Sequence, residues 1–420
     1  MLANRLIVLM SVFSCLFSSV FAAEDWPIFR GPNGDGVVGK SLPVEWKTDK
    51  NIAWRTEIPG EGWSSPVTAG DRIYLTAAIP SGEGDEGQKS QQYTLSLIII
   101  DASSGERVAT VPIMEQTGER PARIHRKNSH ASPTPVIEGD RIYVHFGYQG
   151  TACLSLTGDV LWKNRDLYFK PTHGNGGSPV LAAGNLIFTC DGDAEPKIVA
   201  LNAANGQLAW SAARPVSAKK TFSFCTPAVI EVNGQIQVIA PGSDCVLALD
   251  PATGKTIWDV RYEGYSVVPK PIYHCGLVFI STSFDNSKML AIRPDGKGLV
   301  TETHVAWQLD RNVPKTPSMV AHDGLVYLIS DDGIATCVEA ETGELVYRKR
   351  IGGNYSASPL LAGNNLYFTS EDGVTTVVRA GEDFEEVGSN ALEERTLASL
   401  GVIGDSILLR TATALYRIQD

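Results

Sequence analysis

The fold turns on the stretch Ala248-Leu249-Asp250-Pro251-Ala252-Thr253-Gly254-Lys255-Thr256-Ile257-Trp258. An apolar run ends in Asp250, whose carboxylate can accept hydrogen bonds from the backbone just ahead of it. Gly254 supplies a positive φ at no steric cost. A second run then leaves through Thr256 and Ile257, and Trp258 closes it with a large apolar plate. Chemistry of this kind makes a hairpin between two strands. The pattern recurs at Asn202, Gly206 and Trp210, at Glu339, Gly343 and Tyr347, and at Asp101, Gly105 and Ala109. In every copy the closing residue stands 8 positions after the acid or amide. Looser copies end at Trp162 and Trp307.

A second anchor precedes each hairpin. It reads Ser65-Pro66, Ser132-Pro133, Ser178-Pro179, Thr226-Pro227, Lys270-Pro271, Thr316-Pro317 and Ser358-Pro359, with a proline-less copy at Ala398-Ser399. Proline is tolerated at the start of a strand, where no ladder bond is lost. Four strands in ~45 residues is the unit of a β-propeller blade. The last copy has room for three strands, and 51–55, carrying Trp54, supplies the missing one. The expectation is an all-β, eight-bladed propeller closed by an N-terminal strand, with seven blades as the alternative. Residues 51–420 form the propeller, 23–50 an N-terminal extension and 1–22 a cleaved signal peptide. The structural repeat residues are Trp54, Trp162, Trp210, Asp250, Gly254, Trp258 and Trp307.

Composition narrows the function. A hydrophobic share of 43% with 20% charged residues can bury a core, and a net charge of -11 disfavours nucleic acid as a partner. The apolar run after Arg5, ending near Val20-Phe21-Ala22, reads as a secretory signal. Lipidation at Cys15 is the variant reading. The expected protein is therefore periplasmic or secreted, monomeric, and without a membrane span in its mature chain. Six cysteines remain after the signal, none adjacent, and they read as small buried hydrophobes with one disulfide left open.

The run from Ala248 to Trp258 resembles the A-x-D-x-x-T-G-x-x-x-W motif of the pyrroloquinoline-quinone (PQQ) repeat. Residues 25–32 and 354–359 are similar to segments of short exported PQQ-like repeat proteins. The family includes quinoprotein alcohol dehydrogenases and the non-catalytic outer-membrane assembly factor BamB. The resemblance implies an eight-bladed propeller. In the dehydrogenases it also implies PQQ on the axis, with a metal ion held by Glu, Asn and Asp and often a pair of adjacent cysteines against the ring. This chain has no adjacent cysteines.

The segments entering the innermost strands should gather round one mouth of the channel. They are 61–65, 126–132, 173–178, 219–226, 265–271, 313–317, 354–358 and 394–399. Their charged members are mostly basic, which suits an anion and makes a poor cage for a hard divalent cation. The candidate ligand-binding residues are Arg126, His130, His173, Asn175, Lys270, Lys315, Asn354, Tyr355 and Arg395. No catalytic or metal residue is assigned. The leading expectation is a non-enzymatic binding scaffold for a protein or envelope component, with no cofactor expected. The alternatives are a PQQ-dependent oxidoreductase and a binder of an anionic glycan or other anionic small molecule.

Overall fold

The computed structural model describes residues 25–81, 92–116, 124–167, 169, 172–192 and 195–420. Residues 1–22, expected from the sequence to be a signal peptide, and Cys15 lie outside them. Eight sheets of four antiparallel strands follow one another along the chain, two of them extended by a short fifth strand that pairs parallel, which excludes the seven-bladed alternative. Their first strands are Val67–Ala69, Val136–Glu138, Val180–Ala182, Ala228–Val232, Ile272–His274, Val320–His322, Leu360–Ala362 and Gly401–Ile403. First strands of successive blades neighbour one another and surround the axis. The second and third strands are apolar on both faces, since each face packs against an adjacent blade. In blade 4 every residue of Cys245–Leu249 is buried.

The repeat motif is a device for joining blades. Asp250 Oδ1 accepts from the backbone N–H of Ala252 at 3.0 Å and of Thr253 at 2.8 Å, closing its own turn. Gly254 has φ +71°, and a Cβ there would stand 2.5 Å from Cε3 of Trp210, the closing residue of the preceding blade. Trp210 Nε1 donates to Pro251 O at 2.9 Å. The same glycine and tryptophan meet in Gly105 with Trp54, Gly206 with Trp162 and Gly343 with Trp307. In each pair the indole N–H caps the carbonyl just after the acid or amide, at Ala102, Ala203 and Ala340. Trp258 is the exception. Its Nε1 donates to Gln237 Oε1 at 2.9 Å, and the short strand Gly298–Leu299 lies parallel beside it. Pairing jumps from Ala248–Trp258 to Leu249–Thr256, so Ile257 is the extra residue of a β-bulge.

The second anchor forms a ring around the axis. The backbone N–H of Ser65 donates to Thr134 Oγ1, Thr134 to Ser178 Oγ, and Ser178 to Thr226 Oγ1, at 2.8–3.0 Å. Lys270 donates likewise to Ser318, Ser318 to Ser358, and Ser358 to Ser399. In blades 2 and 6 the bonded hydroxyl belongs to Thr134 and Ser318, two residues beyond the anchors Ser132 and Thr316. Blade 5 alone places a lysine, Lys270, in this series.

The N-terminal extension crosses the ring instead of standing apart from it. Trp26 exchanges hydrogen bonds with Thr68 of blade 1, and Pro27 O accepts from Ile137 N–H of blade 2. Lys270 of blade 5 reaches Gly34 O, and Arg30 reaches Met319 O of blade 6. Val37–Val38 then pairs parallel with Leu360–Ala362 of blade 7. Residues 26–38 thus form a strap spanning the first strands, and Trp46 ends buried against Tyr367.

Ring closure is made by Ile52–Glu57, paired antiparallel with Ala414–Ile418. Glu394 latches this joint. It accepts from Tyr416 Oη at 2.5 Å, Thr411 Oγ1 at 2.6 Å, Thr413 Oγ1 at 2.7 Å and Arg55 Nη2 at 3.1 Å. Burial alone would raise its pKa, but these donors outweigh burial and hold it at about 2. A carboxylate depressed on folding contributes stability above its unfolded value of ~4.3, and loses it as pH falls towards the folded value. Glu394→Gln should cost about 1–2 kcal/mol at pH 7. It should also flatten the decline in melting temperature between about pH 4.5 and pH 2. An unchanged acid limb would show that the latch carries no load.

Candidate functional site

The mouth segments enclose a cup of about 400 Å³ on the channel axis. All eight contribute lining residues, among them Trp63, Lys127, His173, Phe222, Tyr265, Thr316, Ser356 and Leu397. The strand starts supply a lower tier of hydroxyls, including Ser65, Thr134, Ser178, Ser318 and Ser358. Of these, Thr134, Ser178, Ser318 and Ser358 are the hydroxyls that accept the neighbouring blade's N–H, so the ring that ties the blades also lines the cup. Phe29 of the strap lines it as well.

The wall is aromatic above this tier. His173 meets Phe222 edge-on at 5.2 Å and Phe224 at 6.2 Å, and Phe222 meets Tyr265 at 5.7 Å. His125 stands edge-on to His173 at 5.8 Å. Burial first, then the His173 ring and the adjoining Arg126 and Lys127, lower the pKa of His125. Cations sit over the aromatic faces at the rim. Lys220 Nζ lies 3.7 Å from the Tyr265 ring, Lys315 Nζ 5.3 Å from Phe284 and the Arg395 guanidinium 5.5 Å from Trp63. Such contacts stabilise by ~0.5–1 kcal/mol when exposed. An incoming anion can therefore draw these cations off their rings at small cost. Lys127 is committed instead to Glu371, at 2.7 Å. Burial would raise the Glu371 pKa, but Lys127 and Ser356 hold it below the usual range.

Of the nine candidate residues, His173 lines the cup. Arg126, Lys315 and Asn354 line a groove that shares His125, Lys127, Phe284 and Asp285 with it. Arg395 donates to Arg126 O at 2.9 Å and flanks the rim through Trp63. The other four are not brought to the cup. His130 packs on Tyr93 at 4.9 Å, and burial lowers its pKa to about 4. Asn175 fills the space over Gly147, where a Cβ would meet its amide. Tyr355 is buried and bridges Ser370 through its backbone. Lys270 points at the strap, because its strand position carries the side chain into the ring.

The aromatic residues were not among the candidates. Phe222 and Phe224 stand two apart in a mouth segment that precedes the strand Ala228–Val232 and forms no strand itself, so no periodicity signalled them. Phe29 and Phe284 lie outside the eight segments. Among the described residues, no cluster of three His, Cys, Asp or Glu side chains is placed to hold a metal ion. Asp331, in a turn that resembles part of a calcium loop, caps Lys315 N–H at 2.7 Å and Thr316 Oγ1 at 2.7 Å. All six cysteines among the described residues are free thiols, and five are buried.

Residues 37–163, 96–282 and 298–383 match the sequence family described as outer membrane protein assembly factor BamB. The chain belongs to the BamB family. BamB of Moraxella catarrhalis superposes on it with a TM-score of 0.58 at 13% identity, over 87% of this chain and 99% of that one. Quinohemoprotein alcohol dehydrogenase of Comamonas testosteroni superposes with a TM-score of 0.67 at 12% identity, over 94% and 80%. A europium-containing methanol dehydrogenase gives 0.63 at 11%, over 93% and 90%. At these identities the likeness speaks for the fold alone. In sequence, tetrathionate hydrolase of Acidithiobacillus ferrooxidans is 23% identical over 193 residues, spanning 42% of this BamB-family chain and 38% of that protein. No helix among the described residues is long and apolar enough to cross a membrane.

Proposed function

We propose that this BamB-family propeller is an exported binding scaffold whose axial cup receives an anionic group of a protein or envelope component. The observation that carries the reading is the pairing of an aromatic wall with Lys220, Lys315 and Arg395 parked over aromatic faces at its rim. An apolar wall with convergent charges holds one group in one orientation. A chain of net charge -11 that keeps cations at one opening presents a local attractive field there. Export is supported by the signal-like segment 1–22, and assembly with an envelope protein by the family's description.

A second reading is favoured by the same wall. A planar ring bearing carboxylates, such as PQQ, fits between aromatic faces under basic residues. Bound there it would supply two-electron redox chemistry. Lys220 and Arg395 would hold its carboxylates, and the Phe222 and Tyr265 rings would exclude water from its faces.

Titration with PQQ, with and without calcium, separates the two readings. Trp63 fluorescence should report saturable binding of this anionic probe under either reading. The triple variant Lys220→Ala, Lys315→Ala, Arg395→Ala should weaken binding on the order of 150-fold, from three screened charge contacts of ~1 kcal/mol each. Dye-coupled alcohol oxidation by the PQQ-loaded protein would replace the scaffold reading with the dehydrogenase one. Absence of any response at Trp63 would remove both.

A further inference from the structure

Outside the cup, Arg30 and Lys270 place two cationic side chains inside the protein beneath the strap. They are 2% and 4% exposed. Arg30 comes from the strap itself and Lys270 from the ring position where other blades carry a hydroxyl. Lys270 Nζ donates to Gly34 O at 2.5 Å, and Arg30 Nη2 to the next carbonyl, Asp35 O, at 2.5 Å and to Met319 O at 2.7 Å. The two head groups therefore converge on one turn of backbone. A Cβ added at Gly34 would stand 2.0 Å from Lys270 Nζ, and one at Gly36 2.4 Å from Arg30 Nη2.

Neither cation has a carboxylate partner among the described ion pairs. Asp35 is half-buried, and its Oδ1 accepts from Val37 N–H. Arg30 Nε and Nη1 are buried and donate to no group among the described residues. Arg214, equally buried, shows the contrast: Asp191 takes it in a two-point grip at 2.8 and 2.7 Å. Buried charges persist when paired and hydrogen-bonded, and a guanidinium does not shed its proton. The fold has thus converged two cations, with spare donors, on a turn whose one carboxylate, Asp35, acts on both through its charge but forms no described ion pair with either.

We propose that Arg30, Lys270 and the 34–36 turn hold a small monovalent inorganic anion of halide size, chloride being the form tested. The anion takes the spare donors of Arg30 and Lys270 and pins the strap across the axis. Lys270 makes the site pH-dependent. Burial, then the Arg30 charge, push its pKa down to about 7, against the opposing pull of Asp35 and Cys225. Below that value the ammonium is present and the anion binds. Above it, binding requires uptake of a proton, so apparent affinity falls about tenfold per pH unit.

Melting of the full chain in chloride and in gluconate at equal ionic strength tests this, at pH 6 and pH 9. Chloride should raise the melting temperature saturably at pH 6 and much less at pH 9. Lys270→Met, which keeps the buried stem and removes the charge, should abolish the difference. Crystals grown in bromide should show an anomalous peak between Arg30 and Lys270, which decides the matter even if the variant does not fold. Equal melting in both salts at pH 6, a chloride effect retained in Lys270→Met, or no peak at that position would each overturn the proposal.

Discussion

Asp191→Ala should destabilise the protein by about 3–5 kcal/mol, the range for stripping one partner from a buried ion pair. Asp191 and Arg214 side chains are both 0% exposed. The carboxylate binds Nε and Nη2, while Nη1 and Nη2 also donate to Ala240 O at 2.9 Å and Pro241 O at 3.0 Å. Arg214 follows the last strand of blade 3, and the two carbonyls belong to the second strand of blade 4, so the pair spans a blade interface. Removing Asp191 leaves a guanidinium in a low-dielectric site with carbonyls alone for company. Chemical denaturation measures the loss. The double replacement Asp191→Leu, Arg214→Met should recover much of it, because two apolar groups no longer need a counter-charge. A loss under 1 kcal/mol for Asp191→Ala would mean that the pair is hydrated.

The second large effect is expected at Gly254. Its φ of +71° makes a Cβ unfavourable, and that Cβ would lie 2.5 Å from Trp210 Cε3. The left-handed conformation costs ~1–2 kcal/mol in an L-residue. Forcing the indole aside adds about 1–3 kcal/mol of overpacking. Gly254→Ala should therefore lose about 2–5 kcal/mol. Gly276 is the control, with φ +74° and nothing within 4 Å of the added Cβ. Gly276→Ala should lose only the conformational part. Equal losses in the two variants, measured by urea denaturation, would remove the steric role given to the tryptophan.

This pair shows what the repeat conveyed and what it withheld. Asp250 and Gly254 were legible as a turn because their chemistry is local: a carboxylate capping N–H groups two and three residues on, and a glycine with positive φ. That Gly254 also receives Trp210 from the blade before it is a contact across 44 residues, and no turn rule contains it. The candidate site divides in the same way. Its eight mouth segments follow from the period, since whatever precedes an innermost strand must face the axis. Side-chain direction does not follow. Lys270 and Tyr355 turn into the ring, His130 and Asn175 pack aside, and Trp63, Phe222, Tyr265 and Phe284 form the wall instead.

The sequence by itself determined the blade and the N-terminal strand that closes the ring, and it favoured eight blades over seven. Each of these is carried by a pattern that repeats every few dozen residues and by hydrogen bonds within one hairpin or between its neighbours. Only the tertiary structure decided the course of the strap, the aromatic wall of the cup and the meeting of two buried cations. Those rest on approaches such as Lys270 to Gly34, 236 residues apart, and Arg30 to Met319, 289 apart. A segment that occurs once has no period to announce it, and its partners are set only when the ring has closed around it.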